Sequence, residues 1–315
     1  MAQSWYSVVE EELASVDAMV RKGIRSSYPE LNEMCEAALT SRYHETRPAL
    51  SILTYYTNGG KVPAEAVDNA VCFKISFDGL HMHDLIDEDG EVLPVRKKKL
   101  FKKEPSTTKV IVAGDFMYVM GFRQAYSSCP KAVPYLMQAS ATITNAIFDI
   151  VNRSHDTGLT EEEVIDLMER KSAVEFQIIM ESAAAQAGAD EDSLARMREC
   201  GSRIGTAIQI HNDIDDLFGG EEKPRCLSLI SGAPTLVLYN AMKDPVIGKA
   251  VADAFANTEL SLKEARAVAE SIKGSAAVSK CMAVIEDCKK RASEIIMGLP
   301  DDRYRAALLE FVGTL

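Results

Sequence analysis

The chain has 315 residues, 47% of them hydrophobic and 26% charged, and a formal net charge of −12 at pH 7. That length suits one large core or two domains, and the acidic balance argues against nucleic acid as a partner. No apolar run of about 18 residues occurs, so no membrane span is expected, and the acidic N-terminus MAQSWYSVVEEELASV lacks a basic-then-apolar targeting pattern.

The seven cysteines, Cys35, Cys72, Cys129, Cys200, Cys226, Cys281 and Cys288, are odd in number and form no C-x-x-C. They read as free thiols of a reducing compartment, so a cytoplasmic location is expected. Cys281 and Cys288, seven apart, would share one helix face.

Apolar periodicity predicts an amphipathic helix over 4–24, with Val9, Leu13, Val16 and Val20 on one side, and another over 30–42. After the break at His44-Glu45-Thr46-Arg47, Pro48 suits a first helical position, and Asn58-Gly59-Gly60 ends that helix. A long helix is expected over 64–87. It leads into His83-Asp84-Leu85-Ile86-Asp87-Glu88-Asp89. From Glu88 to Thr108 the periodicity collapses around Arg96-Lys97-Lys98-Lys99-Leu100-Phe101-Lys102-Lys103. This run is either a solvated loop or a basic flap beside an anion.

Helices resume over 108–127, with Gly114-Asp115 early in the first, and over 135–153. Lys109-Val110-Ile111-Val112 is the nearest approach to a strand. Thr160 with Glu163 forms a capping box that starts a helix running to Ala187, with Lys171-Ser172 in its middle. The helix 193–217 is followed by a loop, Gly219 to Arg225, and by helices over 226–243, 246–256, 262–272, 276–296 and 301–313. The expected architecture is a single all-α domain over 1–315, a bundle of ten or more helices with its site in the core.

Two stretches carry the chemistry. In Gln209-Ile210-His211-Asn212-Asp213-Ile214-Asp215-Asp216, a helix places Asn212 and Asp216 at i,i+4 and Asp213 and Asp216 at i,i+3, on one face. Asp84 and Asp87 repeat the i,i+3 spacing, and His83 and Asp87 the i,i+4. Carboxylates that close repel one another inside apolar sequence. A hard divalent cation with oxygen ligands is the fitting counter-charge. Solvated acidic faces are the common alternative, but both clusters here lie within apolar runs. The two are expected to face each other across a cavity and to hold several Mg²⁺ ions against a phosphorylated substrate.

In order along the chain, Arg47-Pro48 resembles G-K-x-x-R-P, and His83-Asp84-Leu85-Ile86-Asp87 resembles the first aspartate-rich motif, D-D-x-x-D. Gly114-Asp115 resembles the G-D of the next helix, and Lys171-Ser172-Ala173 resembles K-T-A/G. Gln209 to Asp216 resembles F-Q-x-x-D-D-x-x-D, and Gly232-Ala233-Pro234-Thr235-Leu236 resembles G-K-x-T-L. The ordered set resembles the trans-isoprenyl diphosphate synthases, with the class I isoprenoid-synthase fold, over about residues 40–240.

The resemblance implies that Asp84, Asp87, Asn212, Asp213 and Asp216 bind three Mg²⁺ ions with the diphosphate of an allylic substrate. Lys171, Lys223 and Arg96 would add positive charge, and Gln209 and Ser172 would orient the carbocation in a dry pocket. Arg47, with Arg96 and Lys97, would hold isopentenyl diphosphate. A homodimer, or a heteromer with a catalytic homologue, is also implied.

The departures from the family pattern touch function. His83 replaces the first aspartate, and imidazole is a poor Mg²⁺ ligand. His44 stands at the lysine of G-K-x-x-R-P, and Ser76 appears at the position of a substrate-binding histidine. These losses raise two alternatives: a terpene synthase that dispenses with isopentenyl diphosphate, and a non-catalytic regulatory subunit. Gly79, one turn before the first motif, is expected to leave a product tunnel open, and the polar Asp78 beside it has no evident partner in the sequence.

Overall fold

A computed structural model describes residues 5–39, 45–86, 105–219, 225–300 and 302–315. After a 3-10 turn at Ser7–Val9 come α1 (Glu10–Gly23), α2 (Pro29–Ala38), α3 (Thr46–Thr57), α4 (Pro63–His83) and α5 (Thr107–Ser128). Next come a 3-10 turn at Pro130–Ala132, α6 (Val133–Asn152) and α7 (Glu161–Met168). A π-helical segment (Glu169–Ala173) separates α7 from α8 (Val174–Ala187), and α9 (Glu191–Phe218) follows. The remaining elements are α10 (Leu227–Ile230), α11 (Leu236–Met242), α12 (Gly248–Phe255), α13 (Leu262–Lys273), α14 (Ala276–Met297) and α15 (Arg303–Thr314). No β-strand occurs among the described residues, and Lys109 to Val112 are helical. The fold is all-α. No helix among the described residues is long and apolar enough to cross a membrane.

The helices form two compact units. The first comprises Met1–Gln138, Ile178–Arg198 and Ile296–Phe311; the second comprises Ala139–Gln177, Glu199–Ile295 and Val312–Leu315.

The first unit is organised on α4, which pairs most extensively with α5 and also meets α1 and α3. It is buried on almost every side from Ala66 to Met82, which is why its apolar residues show no single stripe. The α4–α5 approach is close because glycines line it. A Cβ on Gly79 would lie 2.7 Å from Tyr118 N and 2.9 Å from Gly114 O. A Cβ on Gly121 would lie 2.0 Å from Ser76 Oγ. The space beside Gly79 is therefore filled by the α5 backbone, and the open tunnel expected there is not present.

The second unit has its core around Ile210, Leu217, Leu236, Phe255, Ile272 and Ile285. Gly201 and Gly205 let α9 settle against the preceding helical segments: a Cβ on Gly205 would lie 2.6 Å from Ala173 Cα. All seven cysteines are free and buried.

Several boundaries differ from expectation. The helix holding Pro48 begins at Thr46, so the proline is its third residue, still in the first turn where a backbone N–H has no helical partner. The long helix expected to reach residue 87 stops at His83, with Asp84 as its C-cap. Carboxylates are unfavourable at a helix C-terminus. Asp84 thus lies past the last helical residue, and Asp87, expected at i,i+3 from it, lies outside the described residues. The helix expected over 226–243 is divided at Gly232, whose φ is +66°, and Thr235 caps α11 by accepting from Leu238 N at 3.3 Å.

Candidate functional site

In the first unit, Arg47 is carried by α3 and is 8% exposed. Its Nη2 donates to His81 Nε2 at 2.9 Å. A guanidinium can only donate, so Nε2 is the acceptor and the ring proton sits on Nδ1. Nδ1 lies 2.9 Å from Asp84 Oδ2, so His81 donates there. On its other side Arg47 stands 4.0 Å from Asp78 Oδ1, and Asp78 Oδ2 accepts from Lys74 Nζ at 2.6 Å. Lys74, Asp78, Arg47, His81 and Asp84 form a continuous polar chain through an otherwise apolar helix pair. This accounts for Asp78: it is the counter-ion of two buried cations. The histidine accompanying Arg47 is His81. Ser76, expected by counting at that position, is fully buried against Gly121 on the α5 side.

His83, in place of the first aspartate, turns to α5. Its Nε2 lies 3.2 Å from Asp115 Oδ1 and 3.4 Å from Ile111 O. Gly114 makes room for it, since a Cβ there would fall 2.8 Å from His83 Nε2. Asp115 of the G-D element therefore serves as partner to the substituted histidine.

In the second unit, Asp213 and Asp216 stand on one face of α9, each 8% exposed, and Asn212 is half-buried beside them. Asp213 Oδ1 accepts from Gln209 Nε2 at 2.7 Å, one turn back. Burial pushes the Asp213 carboxyl up to about 7, and the nearby Asp216 charge adds to this; Gln209 and the Lys171 ammonium oppose it. Lys171 and Ser172 belong to the π segment, where one extra residue per turn redirects the side chains, a common device at functional sites. Sequence periodicity reads straight through this segment.

Asp216 is held firmly. Its Oδ2 accepts from Ser228 N at 3.0 Å and from Ser228 Oγ at 2.8 Å, and its Oδ1 accepts from Leu227 N at 3.2 Å. Its backbone carbonyl takes the N–H groups of Arg225 and Cys226 at 3.1 and 2.9 Å.

Among the described residues no three His, Cys, Asp or Glu side chains gather at metal-holding spacing. The second unit instead offers two carboxylates with an amide alongside. That oxygen-only set fits Mg²⁺, which takes one or two protein carboxylates and keeps its other positions for water and phosphate. Burial disfavours the ionised Asp213 carboxyl, and a cation bound beside it would favour that form. Asp87, Arg96, Lys97, His44 and Lys223 lie outside the described residues.

The polyprenyl synthetase sequence model matches residues 28–272. The chain is 24% identical to heptaprenyl diphosphate synthase component 2 of Geobacillus stearothermophilus, over 97% of its own length and 95% of that protein. It is 29% identical to geranylgeranyl diphosphate synthase of Methanosarcina mazei, over 84% of the chain and 82% of that protein. Its backbone matches heptaprenyl diphosphate synthase of Staphylococcus aureus with a TM-score of 0.88 at 20% identity, covering 97% of each chain. A polyprenyl synthase from Caulobacter crescentus, complexed with calcium and isoprenyl diphosphate, gives a TM-score of 0.85 at 21% identity, covering 98% of this chain and 95% of that one. The fold is that of the isoprenoid synthases.

Proposed function

The chain belongs to the polyprenyl synthetase family and is a prenyltransferase; from that premise we propose that it ionises an allylic prenyl diphosphate with Mg²⁺ and transfers the prenyl group to isopentenyl diphosphate or a related acceptor. The observation that carries this is the buried pair Asp213 and Asp216 with Lys171 close enough to bias the titration of Asp213. Asp213, Asp216 and Asn212 would hold the metal, and Asp84 and Asp87 are also proposed as metal ligands. When bound, Mg²⁺ supplies the positive charge that stabilises a leaving diphosphate. Lys171 and Lys223 would add positive charge to the diphosphate, as would Arg96, and Gln209 fixes the Asp213 carboxylate and, with Ser172, turns its dipole toward the cationic carbon. The apolar side chains of the helices exclude water from the carbocation, and the departed diphosphate takes the proton lost in the final step. Arg47, kept in place by Asp78 and His81, binds the acceptor's diphosphate with Lys97. Residues 1–315 act in this reaction as one domain, in the cytoplasm.

Incubation with labelled isopentenyl diphosphate, Mg²⁺ and allylic diphosphates of five to twenty carbons tests this. A longer prenyl diphosphate is expected, and no elongation with any partner rejects it. Hydrocarbon or alcohol released from the allylic diphosphate alone would move the assignment to a terpene synthase, which His44 in place of the motif lysine favours.

Two features bear on assembly. Val112, Val119 and Tyr126 lie at seven-residue intervals on α5 and are 52%, 58% and 78% exposed, which supports a homodimer. Relatives named as component 2 of heptaprenyl diphosphate synthase support a heteromer with a second polypeptide. Co-purification with a catalytic homologue and no turnover alone would identify a regulatory subunit.

A further inference from the structure

Asp216 is not an open carboxylate. A carboxylate offers about four lone-pair positions, two on each oxygen. Both positions on Oδ2 are taken by one residue, Ser228, through its N–H at 3.0 Å and its hydroxyl at 2.8 Å. One position on Oδ1 is taken by Leu227 N at 3.2 Å, and Arg225 Nε at 3.9 Å is too distant to fill the other. Among the described residues, a single lone pair, on Oδ1, is left for a cation.

We propose that Ser228 makes Asp216 a one-oxygen ligand and thereby sets the preference of this site for Mg²⁺ over Ca²⁺. The proposal rests on Asp213 and Asp216 being the cation wall. Mg²⁺ demands near-ideal octahedral geometry and suits single-oxygen carboxylates; Ca²⁺ accepts six to eight ligands and readily takes both oxygens of one carboxylate. While the Ser228 hydroxyl occupies Oδ2, two-oxygen binding is blocked. The backbone cannot supply the same restraint, because Ser228 N fills only one Oδ2 position. The turn that delivers Ser228 is specific: Cys226 has φ +52°, and its N–H and that of Arg225 both return to the Asp216 carbonyl. Ser228 is a positioning residue. It acts through Asp216 and not on the substrate.

The test is calorimetric titration of the full chain with Mg²⁺ or Ca²⁺ in the presence of inorganic pyrophosphate. Ser228→Ala should weaken Mg²⁺ about tenfold, as loss of a ligand-orienting partner does, and leave Ca²⁺ unchanged or tighter. Ser228→Cys, which keeps the size and loses the hydroxyl, should follow it, and Ser228→Thr should retain the wild-type ratio. An unchanged Mg²⁺-to-Ca²⁺ ratio in both Ser228→Ala and Ser228→Cys, including parallel losses from a loosened fold, overturns the role of Ser228. Asp213→Asn and Asp216→Asn separate this from the premise. If both bind Mg²⁺ like the wild type, the cation wall itself is wrong and the proposal falls with it.

Discussion

Lys74 Nζ stands 2.6 Å from Asp78 Oδ2, one turn apart on α4, with only 4% and 2% of the two side chains exposed. Breaking a buried pair from one side strands the other charge at a cost of about 3–5 kcal/mol. Asp78→Asn should therefore lower the urea midpoint sharply. Lys74→Met combined with Asp78→Asn should recover more than half of the loss, because no ammonium is then left unpaired. Equal losses in the single and double variants would show that the carboxylate matters for Arg47 and not for Lys74.

His81 joins Arg47 to Asp84 as acceptor on one nitrogen and donor on the other. His81→Phe keeps the ring and removes both bonds. Hydrogen bonds to charged groups are each worth about 1.5–3 kcal/mol, so kcat/KM for isopentenyl diphosphate should fall by roughly 10- to 100-fold. His81→Gln can accept from Arg47 through its oxygen and donate to Asp84 through its nitrogen, and should restore most of it. If the two variants behave alike, the bridge does not order Arg47 for its substrate.

Burial pushes the Asp213 carboxyl from its ordinary 3.8 up to about 7 in the folded protein. Between those values the native state holds a proton the unfolded chain has released, so metal-free stability is fullest at the acid end and declines as pH climbs toward 7. The loss should reach roughly 2–4 kcal/mol. Urea unfolding without divalent cations at pH 5, 6, 7 and 8 should show the slope, and Asp213→Asn should flatten it. Added Mg²⁺ should recover stability at pH 8 in the wild type alone.

Gly205 faces the π segment that carries Lys171, and a Cβ there would lie 2.6 Å from Ala173 Cα and 2.8 Å from Ala173 O. Gly205→Ala should cost about 1–3 kcal/mol by overpacking and, by displacing Lys171, should lower kcat more than a comparable loss of stability elsewhere in α9. A normal kcat in the folded variant would show that Lys171 is not held by this contact.

What could be read from the sequence follows from the range of each interaction. Thr160 and Glu163 announce α7 because the capping box is complete within four residues, and Asp213 and Asp216 share a face because one helix carries both. The end of α4 at His83 is hidden, since Asp84-Leu85-Ile86-Asp87 continues helical spacing past the last helical residue. The π segment is equally silent, because Glu169-Arg170-Lys171-Ser172-Ala173 suits either helix type. The partnerships of His81 with Arg47 and of Ser228 with Asp216 join residues 34 and 12 positions apart, and no local pattern forecasts them.

Because every native cysteine is sealed inside, the surface is chemically silent toward sulfhydryl reagents. A cysteine introduced at an exposed site, such as Val246 with 88% of its surface open, would be the sole handle for a fluorophore or a spin label. Spectroscopic reporters can thus be attached to this enzyme with its own sulfur left intact.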